Sequence, residues 1–301
     1  MMYMPILIKR GNMNIFFCIM LFIMGSFFGS FFTLAVYRLP LKKNITYERS
    51  FCPNCNHRLE AIDLVPIFSY IFLGGKCRYC KEKIRIRYLL LEVLSGIVFV
   101  LAYLSFNMTY PFITFAGALD LILFISMYIV LAIIAGIDKE KNIIQRNVLI
   151  FGFVTRLIYE LYVYYGLNIH NNYVVNLKLN MIIIFLIFYA IYLYFISSRD
   201  KIKVELKNGI EDIKNNEEKI IKEAEKELNY REKFRYFIDV VALLIYIFVS
   251  TNLYVFICTI GILLIVFGIM KILKIKKIPV AFILTIITMI VSLAYNGIYY
   301  F

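Results

Sequence analysis

The chain contains no tryptophan. An aromatic belt at a membrane surface would therefore be built from the 24 tyrosines, which can anchor at an interface in the same way. No segment repeats at a fixed period, so a solenoid or repeat array is excluded. The first apolar segment lacks the small-residue cleavage pattern of a secretory signal peptide and runs on past Gly29-Ser30 into Tyr37-Arg38, so it reads as a retained span. Long stretches are also empty of one charge sign. Residues 107–114 hold no Lys or Arg, and residues 168–178 hold one.

Apolar residues make up 62% of the 301, well above the share in soluble domains, which is roughly 45–50%. A soluble core has no use for that much apolar surface, so most of it must face lipid. The formal charge is +13, but its placement argues against nucleic-acid binding. Lys and Arg lie in blocks between apolar runs, and no domain is left over to contact nucleic acid.

About 20 mostly apolar residues cross a bilayer as a helix. Eight stretches qualify: 14–37, 88–106, 115–136, 148–166, 179–197, 237–250, 253–270 and 279–295. The fold class is therefore an all-α polytopic membrane protein with about eight transmembrane helices. The loops 38–87, 139–146, 199–235 and 271–277 carry 29 of the 33 basic residues. The positive-inside rule places them in the cytoplasm and both termini outside. Two soluble pieces are expected there. Residues 38–87 form a compact insert, and residues 199–235 form either a helix on or beside the membrane or a solvated linker.

The insert carries Cys52-Pro53-Asn54-Cys55 and Cys77-Arg78-Tyr79-Cys80. Two such pairs can aim four thiolates at one point, the pattern of a tetrahedral zinc site. Some 50 residues bury little core, so a metal staple suits the insert. Four thiols without metal, or two labile disulfides, are the alternatives. With four Cys ligands Cys52, Cys55, Cys77 and Cys80, zinc would be structural, because no coordination position stays open. His57 lies close enough to replace a ligand, but it is expected beside the site rather than in it. Cys18 and Cys258 read as small apolar residues within spans.

Four acids lie in or at the ends of spans, where an ionisable group is expensive and points to function. They are Glu92, Asp120, Asp138 and Asp239. Charge counting puts Asp138, at the end of the third span, and Asp239, at the start of the sixth, at the same face and depth. Two such carboxylates could share a proton, one activating a water and the other polarising a carbonyl. The alternative is two helix-end acids at the interface, with Asp239 favoured by a helix N-terminus. Glu92 serves either a second activity or the packing of the insert.

Several segments together resemble the type IV prepilin peptidases, which are membrane aspartic proteases. The first span exits through Gly29-Ser30-Phe31 and Tyr37-Arg38-Leu39-Pro40, and the cysteine insert follows. Next come Asp63-Leu64-Val65-Pro66-Ile67-Phe68-Ser69-Tyr70, Gly75-Lys76-Cys77-Arg78 and Ile86-Arg87-Tyr88 leading to Glu92. Near the end, Lys277-Ile278-Pro279-Val280-Ala281-Phe282 is similar to the family's entry to its last span. The resemblance implies three parts: a first span over 1–37, a zinc insert over 38–87, and a membrane peptidase domain over 88–301 that carries the charged insert 199–235.

The family's first catalytic aspartate maps onto Asp138 in Ile137-Asp138, with Gln145 and Arg146 where the family has proline and an acid. The second sits in Gly-x-Gly-Asp, which this chain lacks. Asp239 is favoured because it opens a span at the right distance before Pro279. Asp212, in Gly209-Ile210-Glu211-Asp212, matches better by letters, and Asp200 is a third choice. The implied activity is cleavage of prepilin and pseudopilin leaders after a glycine at the cytoplasmic face of the bacterial inner membrane. N-methylation of the new terminus with S-adenosylmethionine is also implied, although no methyl-donor motif is legible. The absent Gly-x-Gly-Asp keeps a second reading open: a catalytically degenerate relative acting in pilus or competence assembly. A proton-coupled transporter is disfavoured, because no polar path continues across the bilayer.

Overall fold

The computed structural model of the chain describes residues 4–45, 47, 49–105, 115–166, 176–192, 218–272 and 279–300. Asp200, Asp212 and the Lys277-Ile278 pair lie outside the described residues. Among those described, every regular element is helical. They are α1 (Met4–Arg38), α2 (Phe68–Phe72), α3 (Arg87–Ser105), α4 (Phe115–Lys141), α5 (Arg146–Leu161), α6 (Asn176–Tyr192), α7 (Glu218–Ser250), α8 (Leu253–Ile272) and α9 (Val280–Tyr300). A π-helical turn, Tyr162–Gly166, follows α5.

Among the described residues, five helical stretches are long and apolar enough to cross a membrane: Asn14–Leu41, Arg87–Ser105, Gly117–Lys141, Arg146–Tyr165 and Leu253–Lys271. Asn176–Tyr192 and Val280–Asn296 are apolar but shorter. The protein is an all-α polytopic membrane protein. The expected sixth span differs in kind. Residues 237–250 are the C-terminal part of α7, and the same helix starts at Glu218 in the charged stretch. From residue 218 onward that stretch is neither a separate surface helix nor a linker, because Ala, Glu, Lys and Leu, all good helix formers, carry the helix unbroken into the apolar segment.

The chain forms two compact units, one of Met1–Val148 with Thr251–Phe301 and one of Leu149–Ser250. In the first unit, α1 packs along α3 and also meets α4. In the same unit, α9 packs on α4, α8 and α3. The α1–α3 contact is close because it is made across glycines. A Cβ on Gly25 would stand 2.6 Å from the Ser95 carbonyl oxygen, and one on Gly29 would stand 2.7 Å from Glu92 Cα. Gly96 answers from α3, where a Cβ would meet the Phe22 ring at 2.7 Å. Gly25 and Gly29 sit one turn apart, which is the small-residue spacing that lets helix backbones approach in lipid. Ser95 and Tyr128, both buried, join α3 to α4 through hydroxyls 3.1 Å apart.

In the second unit an aromatic column joins α5, α6 and α7. Phe153 stacks on Phe185 at 4.4 Å and meets Tyr246 edge-on at 5.3 Å. Gly152 makes room for the Tyr246 ring, since a Cβ there would lie 2.9 Å from it.

Candidate active site and metal centre

The four cysteines of the insert converge. The Sγ atoms of Cys52, Cys55, Cys77 and Cys80 all lie within 4.8 Å of one another, and Cys52 Sγ is 3.8 Å from Cys80 Sγ. A tetrahedron with Zn–S bonds of about 2.3 Å has sulfur atoms ~3.8 Å apart, so the donor set fits zinc. The two pairs are built alike. In the first knuckle the Asn56 N–H bonds back to the Cys52 carbonyl at 2.8 Å, and in the second Lys81 does the same to Cys77 at 3.1 Å. Asn56 and Lys81 both adopt positive φ, 55° and 59°. Each turn lets the backbone fold under its sulfurs, and a short antiparallel bridge closes each knuckle, Phe51 with Arg58 and Lys76 with Lys83.

Backbone N–H groups tune the thiols unequally. The Glu82 N–H, with help from the Asn54 amide, draws the Cys80 thiol down to about 7. The His57 N–H acts on Cys55 in the same sense, but burial and the Cys52 and Cys80 thiols outweigh it and push Cys55 up to about 11. His57 is not among the converging ligands. Its ring lies on Tyr79 with centroids 3.6 Å apart, tying one knuckle to the other. Asp63 braces the same joint, accepting from Arg78 Nε at 2.7 Å, from the Glu60 N–H at 3.2 Å and from the Tyr79 hydroxyl at 3.4 Å.

Two buried side chains fasten the insert to the helices that flank it. Arg38, in the last turn of α1, donates to the carbonyls of Asn44 at 3.1 Å, Ile45 at 3.5 Å and Arg49 at 3.2 Å. Glu92 of α3 accepts the Ile67 N–H on Oε2 at 2.7 Å, with the Ser30 hydroxyl as a further donor. Glu92 therefore packs the insert. Ile67 has φ 64° and ψ −55°, and the Phe68 N–H reaches the Pro66 carbonyl at 2.6 Å. That is a γ-turn of the rare, strained kind, at a β-branched residue that costs about 1–3 kcal/mol to hold there.

Asp138 lies in the final turn of α4 with 0% exposure. The helix runs beyond the expected end at Gly136 to Lys141, and Asn142, with φ 52°, closes it by bonding to the Asp138 carbonyl at 2.8 Å. The Asp138 carboxylate accepts the Phe282 N–H on Oδ2 at 2.9 Å. Phe282 belongs to the first turn of α9, whose leading N–H groups have no partner within the helix. The negative charge thus sits at the positive end of the α9 dipole. Lys139 Nζ lies 5.0 Å from the Phe282 ring centroid at the same helix start.

Asp239, 3% exposed, lies well inside α7 and not at a helix start. The expected help from a helix N-terminus is therefore absent. Its partner is the Tyr189 hydroxyl of α6, which donates to Oδ1 at 3.2 Å. Phe185 stacks on Tyr189 at 5.3 Å and holds that ring in place. Phe237 and Ile238 are helical, so no positive φ is needed where the family has its glycines.

Of the other membrane acids, Asp120 is half-buried in the N-terminal part of α4. It is eighteen residues from Asp138, about 27 Å along the helix. Several functional candidates carry little sequence signal. Tyr189 is one of 24 tyrosines, and the Phe282 contribution is backbone alone. An ion pair within α5, Arg156 Nη2 to Glu160 Oε1 at 2.5 Å, is a further buried charged group that the charge pattern of the loops conceals.

Residues 23–106 match the family model of the bacterial peptidase A24 N-terminal domain. The chain is 35% identical over 103 residues to a prepilin leader peptidase/N-methyltransferase of Myxococcus xanthus, covering 34% of this chain and 31% of that protein. The enzyme of the same name in Klebsiella pneumoniae is 35% identical over 130 residues, covering 41% and 53%. That of Bacillus subtilis is 33% identical over 131 residues, covering 44% and 49%. The chain spans at most about half the length of these relatives. No solved structure matches it significantly.

Proposed function

We propose, from the kinship of its N-terminal third with prepilin leader peptidases, that this chain is a membrane aspartic endopeptidase of bacterial inner membranes. It removes the leader of prepilins and pseudopilins at the cytoplasmic face, with 38–87 as zinc insert and 88–301 as peptidase domain. That kinship over 23–106 carries the reading. Its chemistry is supported by two aspartates that are buried in apolar helices and still hold polar partners, Asp138 and Asp239.

In the proposed mechanism Asp138 is the ionised member, because the α9 N-terminus favours its charge. It takes a proton from water, and the water oxygen bonds to the scissile carbonyl carbon. Asp239, protonated and held by Tyr189, gives its proton to the carbonyl oxygen. The tetrahedral diol collapses as the C–N bond breaks, and the leaving nitrogen takes the proton that Asp138 acquired. The second hydroxyl proton returns to Asp239, so both acids end as they began. Asp212 is the alternative second aspartate. The four thiolates would hold zinc with no open position, so its part is to brace the insert. S-adenosylmethionine would supply the methyl group if the new amine is methylated, and no residue is assigned to hold it.

One observation favours the degenerate reading, the absence of Gly-x-Gly-Asp. The test is co-expression with prepilin-like precursors from the same genome, followed by mass spectrometry of the mature N-termini. Cleavage after a glycine is expected. Correctly inserted protein that cleaves none of several precursors would sink the peptidase reading and leave the assembly role.

A further inference from the structure

Segment 64–75 of the insert carries no charged side chain. Around it Ile62, Leu64, Val65, Phe68, Ile71 and Phe72 are all exposed, Phe72 at 83%. Phe68, Ile71 and Phe72 follow i, i+3, i+4 spacing and so share one face of α2. An apolar face of this kind on a water-exposed module would be a liability.

The Glu92 contact fixes the depth of this segment. Glu92 lies five residues beyond Arg87 in α3, about 7.5 Å along the helix. Arg87 pairs with Glu140 near the end of α4, so charged ends of two spans lie together and mark the edge of the apolar layer. The Ile67 N–H reaches Glu92 below that edge, and Gly29 of α1 backs the same residue. The γ-turn that opens α2 is therefore held beside membrane-spanning helix, within about one and a half turns of the edge. At similar heights on those helices, Phe27 and Phe31 of α1 and Leu90 and Leu94 of α3 are exposed and apolar too. The rest of the insert is basic: residues 38–87 hold eleven Lys and Arg against four acids, and Lys76, Arg78, Lys81, Lys83 and Arg85 are exposed.

We propose that segment 64–72 seats in the headgroup–acyl boundary of an anionic bilayer, pinned at that depth by the Glu92–Ile67 hydrogen bond. An apolar face with flanking cations is the pattern of an interfacial element, which inserts about 5–10 Å. The zinc knuckles then sit above the membrane surface on a short, fixed stalk. The inference stands on membrane geometry and does not depend on the peptidase reading.

The absence of tryptophan supplies the test. Phe72→Trp gives the full-length protein a single indole on the proposed lipid face, and Arg58→Trp gives one on a knuckle. Both are placed in nanodiscs of phosphatidylglycerol with brominated acyl chains. Phe72→Trp should be quenched by the bromolipid and shielded from aqueous iodide, and Arg58→Trp should show the reverse. Adding Glu92→Leu to Phe72→Trp should raise iodide quenching while bound zinc stays constant. Indole at position 72 that iodide reaches and bromolipid does not would overturn the proposal. So would shielding that appears only with an added prepilin peptide or only as protein concentration rises, since the face would then belong to a precursor or a second copy. Unchanged quenching in the Glu92→Leu background, with zinc retained, would overturn the role of Glu92 as the pin.

Discussion

Replacing Gly29 by alanine adds one methyl group where two backbones already touch. The new Cβ would lie 2.7 Å from Glu92 Cα, 2.7 Å from the Leu91 carbonyl oxygen and 3.0 Å from the Leu91 carbonyl carbon. Carbon atoms rest about 3.5–4.0 Å apart, so α1 and α3 must part locally by about 1 Å. No flexible side chain can absorb that, because the three nearest atoms are all backbone. Overpacking of this kind costs about 1–3 kcal/mol. The displaced residue is Glu92 itself, so its 2.7 Å bond to Ile67 should lengthen as well. Gly261 is the control, for it also lies in an apolar helix but has nothing within 4 Å of an added Cβ. Thermal unfolding in detergent should show Gly29→Ala lowered by roughly 2–10 °C and Gly261→Ala unchanged or raised, given the better helix propensity of alanine. Gly25→Ala should also destabilise, but the double variant should fall short of the sum, since helices already parted accept the second methyl more easily. Gly29→Ala as stable as the parent would refute the close approach of α1 and α3.

Three further outcomes are expected. Cys77→Ser should abolish bound zinc, measured by elemental analysis of purified protein, whereas Cys258→Ser should leave it intact, since only the insert cysteines converge. Tyr189→Phe removes one hydroxyl from Asp239 and should slow precursor cleavage about fivefold, the equivalent of ~1 kcal/mol for a lost hydrogen bond. Cleavage at the parental rate would remove Tyr189 from the site. Arg38→Ala strips the donors from three carbonyls of the loop after α1 and should cost about 2 kcal/mol or more, seen as faster proteolysis in 42–50.

Much of this was legible in the chain, for identifiable physical reasons. Apolar runs of helical length must become helices in lipid, so most span boundaries fell within a few residues of those read from hydropathy. The cysteines announced themselves because two Cys-x-x-Cys pairs have few other uses. Residues 237–250 misled because hydropathy sees where apolar character begins, not where a helix begins. The charged residues before Phe237 are themselves helix formers, so α7 starts at Glu218. The strained turn at Ile67 was invisible, since isoleucine is among the residues least suited to positive φ and the bond to Glu92 that accompanies it comes from a distant helix. The similar backbones at Asn56 and Lys81 leave no common letter to read. The close approach of α1 and α3 was not read from the chain, because Gly25 and Gly29 act with Gly96 of another helix and only folding brings them together.

The central claim is that Asp138 and Asp239 perform the cleavage. The most direct measurement is processing of a precursor co-expressed with the parent chain or with Asp138→Asn, Asp239→Asn or Asp212→Asn, with membrane insertion of each confirmed. The account predicts cleavage by the parent and by Asp212→Asn, and none by the other two. Cleavage that survives Asp239→Asn and is lost in Asp212→Asn would contradict it.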